Sequence, residues 1–363
     1  MWSIVLVELT NRCNFSCEFC PSDTLKRPRV SMPRALWEKM LNEIADKKLA
    51  RTVFFHQLGE PLLHPDIFDA IKHANALGLQ VSLYTNGAML DDARSKKLVE
   101  ALCLGRVVLS LQDTAGGCFK TRSRGALSWE EYLGRLKKFL LSAEEGGLSV
   151  QVHCQADIRA IGWSLPLLWK RQAEVQRLYE EFRRCLSVAG SVARVMIMDP
   201  ARVYPLGKHT TFYVKHKALW DNKHIPDGTD VLKNDRGHCA VMRDTFVVQA
   251  DGTCTYCCCD YEGELALGNA NTQTLVEIFD GVRSRRIRDA EAAGRFIEER
   301  CQVCRGRLVD RRTQRPVLDR PLYLEYYYFR EHLARYGWGS VWRKVIGNLH
   351  RRTLKAAEKK EKV

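Results

Sequence analysis

Three cysteines stand close together near the start of the chain. Cys13, Cys17 and Cys20 have the spacing CxxxCxxC and directly follow an apolar, β-branched run at Ile4, Val5 and Val7. Three thiolates on one short loop can hold three irons of a cubane [4Fe–4S] cluster and leave the fourth iron without a protein ligand. An open position lets a metal centre act on a bound molecule, whereas a closed four-cysteine site carries electrons or holds structure. Zinc is the other reading of this spacing. It needs a fourth ligand, for which His56 and His64 are the nearby candidates. A second set of cysteines lies far downstream: Cys239, Cys254, the run Cys257-Cys258-Cys259, and the pair Cys301 and Cys304. Fourteen cysteines without a secretory signal argue for metal binding in a reducing compartment, the cytoplasm, rather than for a disulfide framework.

The elements that must position these residues follow from periodicity. Strand-like runs at 4–9, 52–58, 80–84, 106–111, 149–153 and 193–198 alternate with amphipathic helical stretches at 33–48, 66–77, 91–102 and 128–145. Strands separated by helices of this length imply βαβ units and a parallel sheet. The fold class expected is therefore α/β, a partial (β/α)6 TIM-like barrel, followed by a small α+β domain around the second cysteine set. Polar residues gather where each strand ends: the cysteine motif, Leu58-Gly59-Glu60-Pro61, Thr85-Asn86-Gly87, Ser110 to Asp113, His153 to Asp157 and Met198-Asp199. In parallel β/α barrels the reactive site is built on that carboxyl-terminal rim. Ala250-Asp251-Gly252, between two β-like runs, reads as a hairpin turn. The expected division is a core at 1–200, a bridging segment at 201–236, a cluster domain at 237–307 and a basic, aromatic, helical tail at 308–363.

The cysteine motif, with the aromatic Phe19 immediately before its last cysteine, resembles the signature of the radical S-adenosylmethionine (SAM) superfamily. The resemblance implies that the methionine end of SAM chelates the open iron. It also implies that an electron from the cluster splits a carbon–sulfur bond, and that the 5′-deoxyadenosyl radical abstracts a substrate hydrogen. Leu58-Gly59-Glu60-Pro61 resembles the family's Gly-Gly-Glu-Pro motif with its first glycine replaced. There, Gly59 would permit close backbone approach and Glu60 would accept from the SAM ammonium. Thr85 and Asn86 resemble the polar strand end that contacts the SAM ribose or carboxylate, Ser110 and Gln112 offer further contacts, and Phe19 would shield the adenine. The downstream set resembles the auxiliary-cluster region known as SPASM, or twitch in its shortened form. Cys239, Gly252 and Cys257 match its opening, and Cys301 and Cys304 its closing CxxC. Four thiolates would enclose a second [4Fe–4S] cluster. Cys258 is the alternative to Cys257, and Cys254 enters only if the hairpin register slips. A zinc ribbon is the competing reading of this unit. Cys103, Cys118, Cys154 and Cys185 read as small buried residues rather than ligands.

Composition sets the remaining bounds. The formal net charge of +14 fits an anionic partner or substrate, or a solvated basic face. No recognisable nucleic-acid-binding module accompanies it, so nucleic acid is not the expected partner. No apolar run is long enough to span a bilayer, although the aromatic and cationic tail could touch a membrane surface. The leading functional expectation is oxidation of a sugar, aminocyclitol or similar small molecule, with the auxiliary cluster as electron acceptor. The resemblance also implies an external donor such as flavodoxin or ferredoxin. The alternatives are modification of a ribosomally made peptide and a non-catalytic metal-bearing protein. Against the peptide, the chain begins directly at the first strand, so no leader-binding domain is expected before it.

Overall fold

The structure is a computed structural model that describes residues 2–314, apart from 18–19, 103–104, 112, 115, 118, 157–164, 198–201 and 217–227. The tail beyond 314 lies outside the described residues, as do Phe19, Gln112, Cys103, Cys118, Asp157, Met198 and Asp199. The first elements alternate as their periodicity predicts: β1 (Ile4–Val7), α1 (Arg34–Asp46), β2 (Thr52–Phe55), α2 (Ile67–Ala76), β3 (Gln80–Thr85), α3 (Asp92–Ala101) and β4 (Arg106–Leu111). A one-turn α4 (Phe119–Arg122), then α5 (Trp129–Glu145), β5 (Ser149–Ala156) and α6 (Leu165–Cys185) continue the series. Local chemistry sets several boundaries. Ser128 and Glu131 form a reciprocal capping box at the start of α5, the Asp91 side chain caps α3, and Gly78 takes φ +76° just past α2.

The sixth parallel strand is not at 193–198. That run is apolar, and Val195 and Ile197 are buried, but no strand ladder receives them. Instead the side chains of Gln172 and Gln176 on α6 satisfy its backbone: Val195 N–H donates to Gln176 Oε1 at 2.8 Å and Ile197 N–H to Gln172 Oε1 at 3.1 Å. The strand comes later. After the short β6 (Val203–Pro205), β7 (Thr210–His216) pairs in parallel with β5, setting Tyr213 opposite His153. Residues expected to bridge two units thus complete the sheet. Thr210, Thr211 and Val214 are β-branched and burial alternates along β7, a period-two signal hidden behind Pro205 and Gly207.

The rest of the chain comprises β8 (Thr229–Leu232), α7 (Ala240–Asp244), β9 (Thr245–Val248), β10 (Thr253–Thr255), β11 (Gly268–Asn269), α8 (Leu275–Phe279), α9 (Val282–Ala292), α10 (Glu299–Cys304) and β12 (Arg307–Asp310). One ten-stranded sheet runs β11-β10-β9-β1-β2-β3-β4-β5-β7-β6, and β8 pairs with β12 in a small second sheet. β9 lies parallel to β1 and antiparallel to β10, with Ala250–Gly252 as the turn between them. The second cysteine unit is therefore joined edge to edge to the strand that carries the first. The large core lies between sheet and helices, where Val5, Val53, Val81, Val107 and Val150 meet Trp37, Ile71, Leu98 and Phe139. The fold is that of a mixed α/β partial barrel with a carboxyl-terminal domain.

Candidate functional site

The cysteine loop leaves β1 through Glu8, a residue the sequence did not single out. Its carboxylate is buried and pairs with Arg27 at 2.6 Å. It also accepts from Leu58 N–H at 3.2 Å and Ala250 N–H at 3.0 Å. One side chain thus ties the cysteine loop, the loop after β2 and the hairpin of the second unit. Farther along, the Asn11 side chain spans the loop, donating to Pro28 O and accepting from Val30 N–H, both at 2.8 Å. The loop is closed at its base before any metal arrives.

Cys13, Cys17 and Cys20 are all half-buried on this loop. Burial pushes the Cys13 thiol up to about 12, and Glu60, Cys17 and Cys20 lie close enough to push it further in the same direction. A buried thiol that resists ionising, with two others beside it, makes a donor set suited to positive charge, which bound iron would supply. Cys13 Sγ already accepts from Phe15 N–H at 3.4 Å and from Asn86 Nδ2 at 3.9 Å. The donor set fits a thiolate-held cluster.

The loops after β2 and β3 press directly on the cysteines. Gly59 has φ +75°, and a Cβ there would lie 2.2 Å from Thr10 O and 2.9 Å from Arg12 O, so only glycine lets the two loops cross. The next residue, Glu60, donates its N–H to Arg12 O at 2.8 Å. Its carboxylate is buried and accepts from Thr85 Oγ1 at 2.7 Å, Asn86 N–H at 2.7 Å and Leu62 N–H at 3.1 Å. Burial outweighs these bonds and raises its pKa to about 7. Glu60 therefore works first as the link between two strand ends. Asn86 carries the link onward to the cysteine loop, donating from Nδ2 to Asn14 Oδ1 at 2.8 Å. Ser110 is half-buried on β4, and its carbonyl accepts from Arg122 at 3.3 Å. Sequence reasoning also passed over Arg122. It is 4% exposed, lies 4.7 Å over the Phe15 ring, and has Cys17 and Tyr132 as neighbours.

In the second unit, Cys239 precedes α7, Cys301 and Cys304 lie on α10, and Cys257 follows β10. Burial raises Cys301 to about 12, and its charged neighbours are led by Cys257, Cys239 and Cys304. The four cysteines picked out by spacing are thus brought together. Cys257 and Cys301 also share the wall of a small, mostly apolar pocket with Met242, Tyr256, Leu265, Leu267, Ile287 and Glu298. Of the cysteines near Cys257 in sequence, Cys259 stays beside it with its side chain hydrogen-bonded to Cys257, whereas Cys258 and Cys254 face elsewhere. Cys258 packs on the cluster of Leu6, Phe54 and Val247, against the concave side of the sheet. Cys254 is fully buried on β10 opposite Val248, so the hairpin register has not slipped. Cys154 is fully buried, as expected of a small apolar residue.

The histidines weighed as zinc ligands are engaged elsewhere. His64 accepts from Asp66 N–H at Nδ1, so its Nε2–H donates to Met32 O at 2.9 Å. His56 stacks on Tyr84 at 4.5 Å. Among the described residues, no group of three or more His, Cys, Asp or Glu side chains is drawn in tightly enough to hold a single ion. A cubane distributes its thiolates over separate irons and asks for a looser ring.

Comparison with known proteins agrees with this geometry. The model of the radical SAM superfamily matches residues 7–140, and that of the SPASM iron–sulfur cluster-binding domain matches 239–305. The PqqA peptide cyclase of Xanthomonas axonopodis pv. citri is 32% identical over 152 residues, covering 41% of this chain and 38% of that protein. The chain thus spans well under half the length of this curated relative. Among solved structures, Streptococcus suis SuiB bound to S-adenosylmethionine superposes with a TM-score of 0.52 at 15% identity, over 78% of this chain and 67% of that one. Native anSMEcpe with bound AdoMet gives 0.52 at 15% identity, over 92% and 97%. At such identities the two structures speak to the fold.

Proposed function

This chain belongs to the radical SAM superfamily and carries a SPASM domain, binding [4Fe–4S] clusters and SAM, and from that premise we propose that it modifies a peptide. The observation that carries the reading is the sequence match to a PqqA peptide cyclase, which runs through part of the chain only. Oxidation of a sugar or aminocyclitol, the leading expectation from the four-cysteine set, drops to second place behind that match.

When bound at the cluster, SAM supplies a carbon-centred oxidant that removes a hydrogen atom from the substrate. The chain's own residues do the rest. Cys13, Cys17 and Cys20 hold the SAM-binding cluster, and Phe15 N–H and Asn86 Nδ2 donate to Cys13. Glu60, Thr85 and Asn86 fix the rim on which SAM lies, with Gly59 giving its backbone room to approach. Ser110, Gln112 and Phe19 complete the proposed SAM contacts. In the second unit, Cys239, Cys257, Cys301 and Cys304 hold the auxiliary cluster. Apolar side chains shelter Cys257 and Cys301, while Cys304 stands at the exposed edge of the set. An external reductant of the flavodoxin or ferredoxin type and a reducing compartment such as the cytoplasm suit thiolate-held clusters.

Mass spectrometry tests the reading. The reconstituted chain would be incubated with SAM, dithionite and the short peptides encoded beside its gene. A peptide that changes mass in step with 5′-deoxyadenosine release supports it. Release coupled only to oxidation of an added aminocyclitol or sugar returns the small-molecule reading to the front.

A further inference from the structure

The sheet buries one face under the helices and turns the other inward, and side-chain alternation decides what lines each. On β7, Phe212 and Val214 are fully buried in the helix-packed core, while Tyr213 and Lys215 are half-exposed on the opposite side. β5 repeats the pattern, with Val150 and Val152 against the helices and Gln151, His153 and Gln155 on the concave side. Tyr84 stands there on β3, Arg106 and Ser110 on β4, and His56 just past β2. Rings interlock across the strands: His56 on Tyr84 at 4.5 Å, Tyr84 edge-on to His153 at 6.0 Å, and His153 to Tyr213 at 5.2 Å. Lys215 Nζ lies 5.8 Å from the Tyr213 ring. Arg106 donates to Ser82 Oγ at 3.0 Å and lies 5.7 Å from the Phe54 ring.

The charge on this surface is one-sided. Lys215 and Arg106 feel each other, and both act on His153; among the described residues no carboxylate pairs with either cation. Two of the described acids near this rim are engaged elsewhere, Glu8 by Arg27 and two backbone amides, Glu60 by three donors. Burial and Lys215 hold His56 neutral, with its pKa lowered to about 4. His153 is lowered to about 3 by burial, Lys215 and Arg106. Two cations held in a partly dried interior with no carboxylate partner among the described residues favour an anion brought in by a ligand.

We propose that this concave face binds the substrate through a carboxylate, with Lys215 taking the charge, Arg106 adding its field, and the Tyr84 and Tyr213 rings flanking its apolar stem. The inference rests on the radical SAM reading and narrows it: the group entering the site is an acidic side chain of the peptide. The same chemistry would also suit a sugar acid, and the test separates the two.

Calorimetry on the full chain, reconstituted with its clusters and saturated with SAM, would use three probes: N-acetyl-glutamate α-amide, its uncharged glutamine counterpart, and glucuronate. We expect the glutamate probe to bind about tenfold or more tightly than the glutamine probe, the scale of one charge-assisted hydrogen bond. Lys215→Gln should remove that preference and leave binding of the glutamine probe unchanged, while Lys215→Arg should restore it. Should Lys215→Gln misfold by circular dichroism, the parent's own preference still decides. Equal binding of the glutamate and glutamine probes, or a preference that survives Lys215→Gln, overturns the proposal. Tight binding of glucuronate without the glutamate probe overturns its peptide form. Release of 5′-deoxyadenosine, measured on the same samples without probe, reports separately on the radical SAM reading beneath it.

Discussion

Replacing Glu60 by alanine should destabilise the protein as well as weaken SAM binding, and the structure gives the scale. The carboxylate is 1% exposed and receives the Asn86 and Leu62 amides and the Thr85 hydroxyl. The hydroxyl can rotate toward another acceptor, but the two backbone N–H groups cannot. Each buried donor left unpaired costs about 1–3 kcal/mol, so Glu60→Ala should lose roughly 2–6 kcal/mol. Asn86 would loosen with it, and with Asn86 the contact to Cys13. Urea unfolding of the cluster-free chain measures the first effect, and iron content after reconstitution the second. Glu60→Gln, which keeps one acceptor oxygen, should fall between parent and alanine. If Glu60→Ala unfolds within about 0.5 kcal/mol of the parent, where surface substitutions usually fall, the reasoning about its three donors is wrong.

Three further outcomes follow from named contacts. Gly59→Ala should lower stability by about 2 kcal/mol or more and impair cluster loading, because its Cβ would run into Thr10 O at a positive φ; unchanged iron content and urea midpoint would refute it. Acid should weaken the cluster-free fold as pH falls from 6.5 toward about 4, because the unfolded chain protonates a histidine at His56 that the folded one keeps neutral, at up to about 3 kcal/mol. His56→Phe should flatten that part of the stability–pH curve, and an unaltered slope would count against the burial argument. Cys257→Ala should reduce iron from about eight to about four per chain, while Cys258→Ala, at a residue packed on the Leu6, Phe54 and Val247 cluster, should leave it unchanged; the opposite result would exchange their roles.

The parallel order of the sheet was legible because β1 to β5 each carry an apolar run bounded by helix caps and turn residues. Both cysteine sets were legible for a different reason, since ligand spacing survives without any knowledge of packing. The sixth strand was missed because Val195 and Ile197 are apolar enough for a strand, while the amides of Gln172 and Gln176 that replace its ladder come from a helix some twenty residues earlier. Glu8 and Arg122 gave no local sign, because a buried ion pair or a guanidinium over an aromatic ring is defined by chain segments that meet only on folding. The choice between Cys257 and Cys258 turns on which way the backbone faces after β10, which three consecutive identical residues do not disclose. Likewise the concave row from His56 to Lys215 is spread over β2, β3, β5 and β7, and appears only once strand register sets Tyr213 beside His153.

The most direct test of the account is the formation of 5′-deoxyadenosine from SAM and dithionite by the reconstituted chain, compared with a variant in which Cys13, Cys17 and Cys20 are all alanine. The parent should form it, and the variant should not, while still holding the iron bound by Cys239, Cys257, Cys301 and Cys304. A triple variant that cleaves SAM reductively at the parental rate would contradict the central assignment.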